Sequence, residues 1–320
     1  MPATPFFLPT AGGQRFCLLH TSGQAPEEPV ASILYIHPFA EELNRSRRMV
    51  ALQCQSLAAA GFEVLQMDLG GCGDSSGHFA DATWEGWVAD VLAAREWLVA
   101  RQQKRGPVAR VHADETITTG NILWLWGLRA GCLLAAEVAR QRPAQAANLL
   151  FWQPVTQGAV HLTQFLRLKV ATDLVRGGRA GETLPAGDTA PSVNSKPRQL
   201  LAEGKQVEIG GYSVSPALAA GLDAAHLNGL PGGSRVICLE FTPAPPVATN
   251  ATAFVPMSPA LVSQIDKWQD HGAKAEGRAT TGALFWQSQE VEVVMAAIDI
   301  TVKQLLAAQD SMASLHKAGL

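Results

Sequence analysis

The segment LWLWGLRAGCLLA, residues 123 to 135, reads as an apolar strand turning sharply into a helix, with Gly127 and Gly131 bracketing one central residue. A serine at that centre would be a nucleophile, exposed on a strained strand-to-helix turn. The centre here is Arg129. Arginine stays protonated at any working pH and cannot attack a carbonyl. The turn therefore delivers a fixed cation to a helix N-terminus, whose dipole opposes it unless something negative answers.

The partners that a serine nucleophile needs are also missing. The turn resembles the nucleophile elbow of a known hydrolase class, and that resemblance implies a base histidine after the last strand, where the sequence gives Trp286-Gln287-Ser288-Gln289-Glu290; His271 falls at a helix end instead. The acid should follow the strand Arg235 to Phe241, yet residues 241–265 contain no Asp or Glu, and Glu240 lies inside the strand. The alternative acid position, after Asn148 to Trp152, is Gln153. Cys72, in a glycine-rich turn, is the one substitute thiol kept in view, because Cys132 reads as a small core residue. Gly211-Tyr212-Ser213-Val214-Ser215 imitates an elbow, but Ser215-Pro216 reads as a helix cap. No residue is assigned as catalytic.

Two uses remain for Arg129. It could pair internally with Glu41, Glu42 or Glu290 and close a dead pocket, or it could receive a ligand carboxylate or phosphate together with the helix amides. In the second case Arg129 and Ala130 supply the elbow, His37, Phe39 and Glu41 the wall before it, and Gln287 and Glu290 the rim after it. The run Glu41-Glu42-Leu43-Asn44-Arg45-Ser46-Arg47-Arg48 is either a solvated charged face or an anion-recognition rim. The histidines at 20, 78, 112, 161, 226 and 316 show no ligand spacing and read as structural or exposed. No phosphate loop, dinucleotide fingerprint or metal-ligand spacing occurs, so neither cofactor nor metal is expected.

The elements that must hold these residues alternate. Strands are expected at Ser32 to His37, Gly61 to Met67, Asn121 to Trp126, Asn148 to Trp152, Arg235 to Phe241 and around Arg278 to Phe285. Helices are expected at Asn44 to Ala60 with Asn44 or Ser46 as cap, Asp81 to Leu98, from the elbow to about Arg142, Gly158 to Val175, Ser258-Pro259 to His271, and about Glu290 to Gln309. Gln206 to Tyr212 is strand-like, and Gly177 to Gly204, rich in Gly, Pro, Ala and Ser, reads as a long loop. The expected organisation is one sheet domain in two parts, residues 1–154 and 233–320, with a lid inserted at 155–232.

Over 320 residues, 47% apolar and 17% charged side chains exclude a disordered chain and suit a deeply buried sheet. A net charge of −3 offers nothing general to nucleic acid or anionic lipid. Five scattered cysteines without a C-x-x-C fit a reducing cytosol. The first residues show no secretory pattern, and the apolar run from Ile122 to Ala139 carries Arg129, so no membrane insertion is expected.

The strand–helix alternation, the elbow, the turn Asp68-Leu69-Gly70-Gly71-Cys72-Gly73-Asp74-Ser75 and His37-Pro38-Phe39 resemble the α/β-hydrolase fold. HPFAEELNRSRRM (37–49), LGGCGDSSG (69–77), WGLRAG (126–131) and LFWQSQEVE (284–292) are similar to the exosortase A system-associated hydrolase 2 family. That resemblance implies a cytosolic α/β-hydrolase-fold protein serving the PEP-CTERM sorting or exopolysaccharide machinery of a bacterium. With its triad lost, the expected function is binding of a small anionic or acyl-bearing molecule, or of a partner carrying one, such as an acyl carrier protein. An ester or thioester hydrolase with an unconventional site and a non-catalytic scaffold are the alternatives. Fold alone does not choose among them.

Overall fold

The computed structural model describes residues 3–22, 29–105, 108–112, 115–119, 122–142, 147–179, 195–243 and 255–317. The chain opens with a hairpin, β1 (Thr4–Thr10) and β2 (Gly13–His20), and continues through β3 (Ser32–Ile36), α1 (Glu41–Ala59), β4 (Glu63–Met67) and α2 (Trp84–Arg105). A second hairpin, β5 (Val108–His112) and β6 (Glu115–Thr119), precedes β7 (Leu123–Leu128), α3 (Gly131–Arg140) and β8 (Asn148–Trp152). Then come α4 (Gly158–Arg179), α5 (Ser195–Ala202), the small hairpin β9 (Val207–Ile209) and β10 (Tyr212–Val214), and α6 (Pro216–Ala224). The chain closes with β11 (Arg235–Thr242), α7 (Pro259–Asp270), β12 (Lys274–Thr281) and α8 (Met295–Lys317).

Eight strands form one sheet in the order β1-β2-β4-β3-β7-β8-β11-β12. The pairs β1/β2 and β2/β4 are antiparallel and all pairs from β4 to β12 are parallel. Parallel strands must be covered on both faces, which explains why β3 is buried along its whole length and apolar or aromatic after Ser32. Alternate residues sort between the faces. Leu34, Leu65, Leu125 and Phe151 pack on the side of α2 and α3, whereas Ile33, Val64, Trp124, Trp126 and Trp152 pack on the side of α1 and α8.

Several sequence boundaries shift. Helix α1 begins at Glu41, not at an Asn44 or Ser46 cap, so both glutamates lie in its first turn, where they agree with the dipole. The last strand ends at Thr281, so Leu284, Phe285 and Trp286 form a turn, although their apolar run mimics a strand. Of the loop expected at 177–204, residues 177–179 belong to α4 and 195–202 to α5, while 180–194 lie outside the described residues. The polar stretch after α2 carries the β5/β6 hairpin. No described helix is long and apolar enough to cross a membrane.

Candidate functional site

Arg129 joins β7 to α3 with φ 55, in the left-handed region that L-residues other than Asn and Asp rarely adopt. Its neighbours leave it no choice. A Cβ on Gly127 would lie 2.5 Å from the Cys132 nitrogen, and one on Gly131 would lie 2.3 Å from the Ile36 carbonyl oxygen. The Arg129 amide donates to the Trp152 carbonyl at 3.0 Å, and the Arg129 carbonyl accepts from Cys132 at 3.1 Å. Elbow geometry is thus intact around a residue that cannot be a nucleophile.

Two other non-glycine residues have positive φ among the described residues, Ala40 (φ 50) and Gln153 (φ 42). Ala40 precedes α1 just beyond β3, and Gln153 follows β8 directly. Since β3, β7 and β8 are neighbours in the sheet, all three strained residues gather at one place, the carboxyl ends of adjacent parallel strands. Ligands of open α/β sheets bind there, and each such residue stores about 1–3 kcal/mol of strain.

The Arg129 Nε donates to Glu42 Oε1 at 3.3 Å, and the guanidinium lies over the Trp286 ring, 5.5 Å from its centroid. Of the three carboxylates expected to compete for Arg129, Glu42 therefore takes the place; Glu41 instead accepts from Asn44 and Tyr212, and Glu290 is exposed. Burial pushes the Glu42 carboxyl up, a rise that the Arg129 charge partly offsets. Among the described residues, Glu42 Oε2 has no partner and the two terminal nitrogens of Arg129 have no acceptor. Trp286 fills the position where a base histidine was sought, packed against Phe241 and Phe285.

The remaining expected site residues divide. Phe39 and Ala130 are buried beside the elbow, and their amides donate to no acceptor among the described residues. His37 is a correction: its Nδ1 meets the Pro38 carbonyl at 2.7 Å and its Nε2 accepts from the Leu69 amide at 3.1 Å, so both ring nitrogens are used. Gln287 is exposed and lends only its carbonyl, which accepts from Arg45 at 2.6 Å. Arg47 pairs with Asp68 at 3.4 Å, so two arginines of the expected anion rim brace the protein itself.

The acid positions are likewise occupied. Gln153 Oε1 accepts from the Phe241 amide at 2.6 Å, and Glu240 Oε2 accepts from the Ser258 amide at 2.6 Å. Burial raises the Cys72 thiol to about 12 and that of Cys132 well above its ordinary value, so the substitute thiols stay protonated. Ser215 caps α6 by accepting from the Leu218 amide at 3.0 Å.

His161 is the residue that sequence reading missed. It lies in the first turn of α4, is 6% exposed, and meets Phe39 edge-on at 6.0 Å between ring centroids. Burial, and secondarily the Arg129 charge, lower its titration to about 3. Nothing in the sequence signals this placement, because Phe39 and Arg129 are distant along the chain.

A cavity of about 370 Å³ beside Leu123 and Asn148 lies at the amino ends of β7 and β8, away from the elbow. No group of metal-ligating side chains occurs among the described residues. No protein-family model and no curated protein matches the sequence. Solved structures do match over nearly the whole chain. Est1E from Butyrivibrio proteoclasticus, solved with ferulic acid bound, is 14% identical with a TM-score of 0.57, covering 96% of this chain and 99% of that one. A soluble variant of monoglyceride lipase from Saccharomyces cerevisiae, in complex with a substrate analog, is 12% identical with a TM-score of 0.58, covering 98% and 96%. Proline iminopeptidase from Mycobacterium smegmatis is 13% identical with a TM-score of 0.51, covering 98% and 100%. The eight-stranded, mostly parallel sheet, its flanking helices and these neighbours together give the chain the α/β-hydrolase fold.

Proposed function

We propose that this protein binds a small anionic or acyl-bearing molecule at the carboxyl ends of β3, β7 and β8, anchored by Arg129, and that it does not hydrolyse through a serine triad. One observation carries the reading: the elbow strains Arg129 into φ 55 and leaves its terminal nitrogens without acceptors. The Arg129 side chain is 13% exposed, so the donors that Glu42 leaves unused are open to a ligand anion. The ferulic acid held by Est1E and the substrate analog held by the monoglyceride lipase are consistent with a carboxylate or acyl ligand on this fold. The segment 155–232, inserted between the adjacent strands β8 and β11, acts in this reading as the lid over the ligand. The similarity of the motifs around residues 37–49, 69–77 and 284–292 supports a role beside exosortase or exopolysaccharide machinery, with the ligand free or carried on an acyl carrier protein.

Octanoate, which combines one carboxylate with an acyl chain, is the probe. In calorimetric titrations, Arg129→Ala is expected to weaken octanoate binding at least about tenfold by removing a charge-assisted contact. Stability should fall by no more than about 1–2 kcal/mol, because Glu42, with its raised titration and 18% side-chain exposure, takes up a proton once the arginine is gone. Equal affinity of variant and wild type would overturn the reading.

A further inference from the structure

His161 presents a problem that the fold does not solve. Both its ring nitrogens are buried without a hydrogen-bond partner among the described residues. Native proteins rarely leave such groups orphaned; Gln53 in α1 and Gln304 in α8 share the condition, but His161 is the one of the three that meets Phe39. Its position is nevertheless held firmly: the Gly158 amide donates to the Ala225 carbonyl at 2.8 Å, and a Cβ on Gly158 would lie 1.8 Å from the Leu222 carbonyl oxygen. The first turn of α4 is thus pressed onto α6, and the imidazole points at Phe39.

We propose that His161 is a ligand contact that completes the elbow site from the inserted segment, and that the site takes a monocarboxylate with an apolar body. The inference rests on the proposed ligand reading and names its chemistry. A neutral imidazole has one N–H and one lone pair, so it can donate to a carboxylate oxygen or accept from an adjacent hydroxyl. The terminal nitrogens of Arg129 and the free amides of Phe39 and Ala130 are all donors. Charge sets the limit. The Arg129 cation is already answered by Glu42 at 3.3 Å, so one further negative charge is tolerated at a helix N-terminus but a dianion meets the carboxylate of Glu42 uncompensated. The wall is aromatic: Phe39 contacts Phe165 at 5.0 Å, Phe79 at 5.7 Å and Trp87 at 5.9 Å between ring centroids. Such a wall suits an acyl or aryl body and offers nothing to a second phosphate oxygen.

Titrations of octanoate and inorganic phosphate into wild type and His161→Phe test this. His161→Phe keeps the bulk of the ring and removes both orphaned nitrogens, so its melting temperature should not fall. Octanoate affinity should drop about fivefold or more. Octanoate should also move the ring nitrogen resonances of His161 in the ¹⁵N-histidine-labelled wild type, a readout that holds even if the variant fails to fold. Phosphate should bind at least about tenfold more weakly than octanoate. Undiminished octanoate binding by a folded His161→Phe, or unmoved resonances, would overturn the His161 contact while the Arg129→Ala result still judged the ligand site. Phosphate binding as tightly as octanoate would overturn the monocarboxylate class, and no binding of either probe would overturn both proposals.

Discussion

His161→Phe should remove a large part of the protein's acid sensitivity. In the folded protein the imidazole titrates near 3, against 6.5 in the unfolded chain. Between those values the unfolded state binds more protons, so stability rises with pH across that window and is lost as pH falls from 6.5 towards 3. The full shift corresponds to about 4–5 kcal/mol, or ~1.4 kcal/mol for each pH unit inside the window. Urea unfolding of both proteins at pH 7 and at pH 4.5 isolates this group, since every other titrating side chain is shared. The variant should gain about 2–3 kcal/mol on wild type over that interval. An unchanged difference would mean that His161 is solvated or already paired in the folded protein.

Gly131→Ala should strongly destabilise the elbow. The added Cβ would meet the Ile36 carbonyl oxygen at 2.3 Å and that of His37 at 2.8 Å, and both are backbone atoms in or beside a central strand. Neither can swing away as a side chain would. The cost is about 3 kcal/mol or more, the upper end of overpacking, and any relief must move α3 off the sheet and carry Arg129 with it. Gly232→Ala is the control, because a Cβ there meets nothing within 4 Å and the residue does not have positive φ. Denaturant midpoints of the two variants measure the contrast. Equal midpoints would mean that the elbow is not packed against β3 as described.

The contrast between these two residues shows what could be read from the chain. Gly127 and Gly131 announce the elbow, because only glycine fits at close backbone approaches on a period set by one sharp turn. Strand β8 was legible to the residue, since an apolar run of strand length is bounded by polar residues on both sides. Phe285 misled, because a residue buried in a turn against Phe241 is of the same type as one in a buried strand. The choice of Glu42 over Glu41 was invisible. It depends on α1 starting at Glu41, ahead of both apparent caps, so that Glu42 faces Arg129 and Glu41 faces Tyr212. His161 was invisible for a stronger reason: its importance lies in contacts that are missing, and periodicity reports only those that are made.

On the proposed reading, the elbow carries an anion-binding cation where a hydrolase of this fold would carry an attacking hydroxyl. The most direct test is incubation of the folded protein with an excess of a serine-directed fluorophosphonate, followed by intact-protein mass spectrometry. With Arg129 at the turn, Trp286 in the place of the base, and Gln153 and Glu240 engaged with backbone amides, no adduct should form. A stoichiometric adduct mapped to any serine would contradict the account, because it would show an activated nucleophile that this arrangement does not contain.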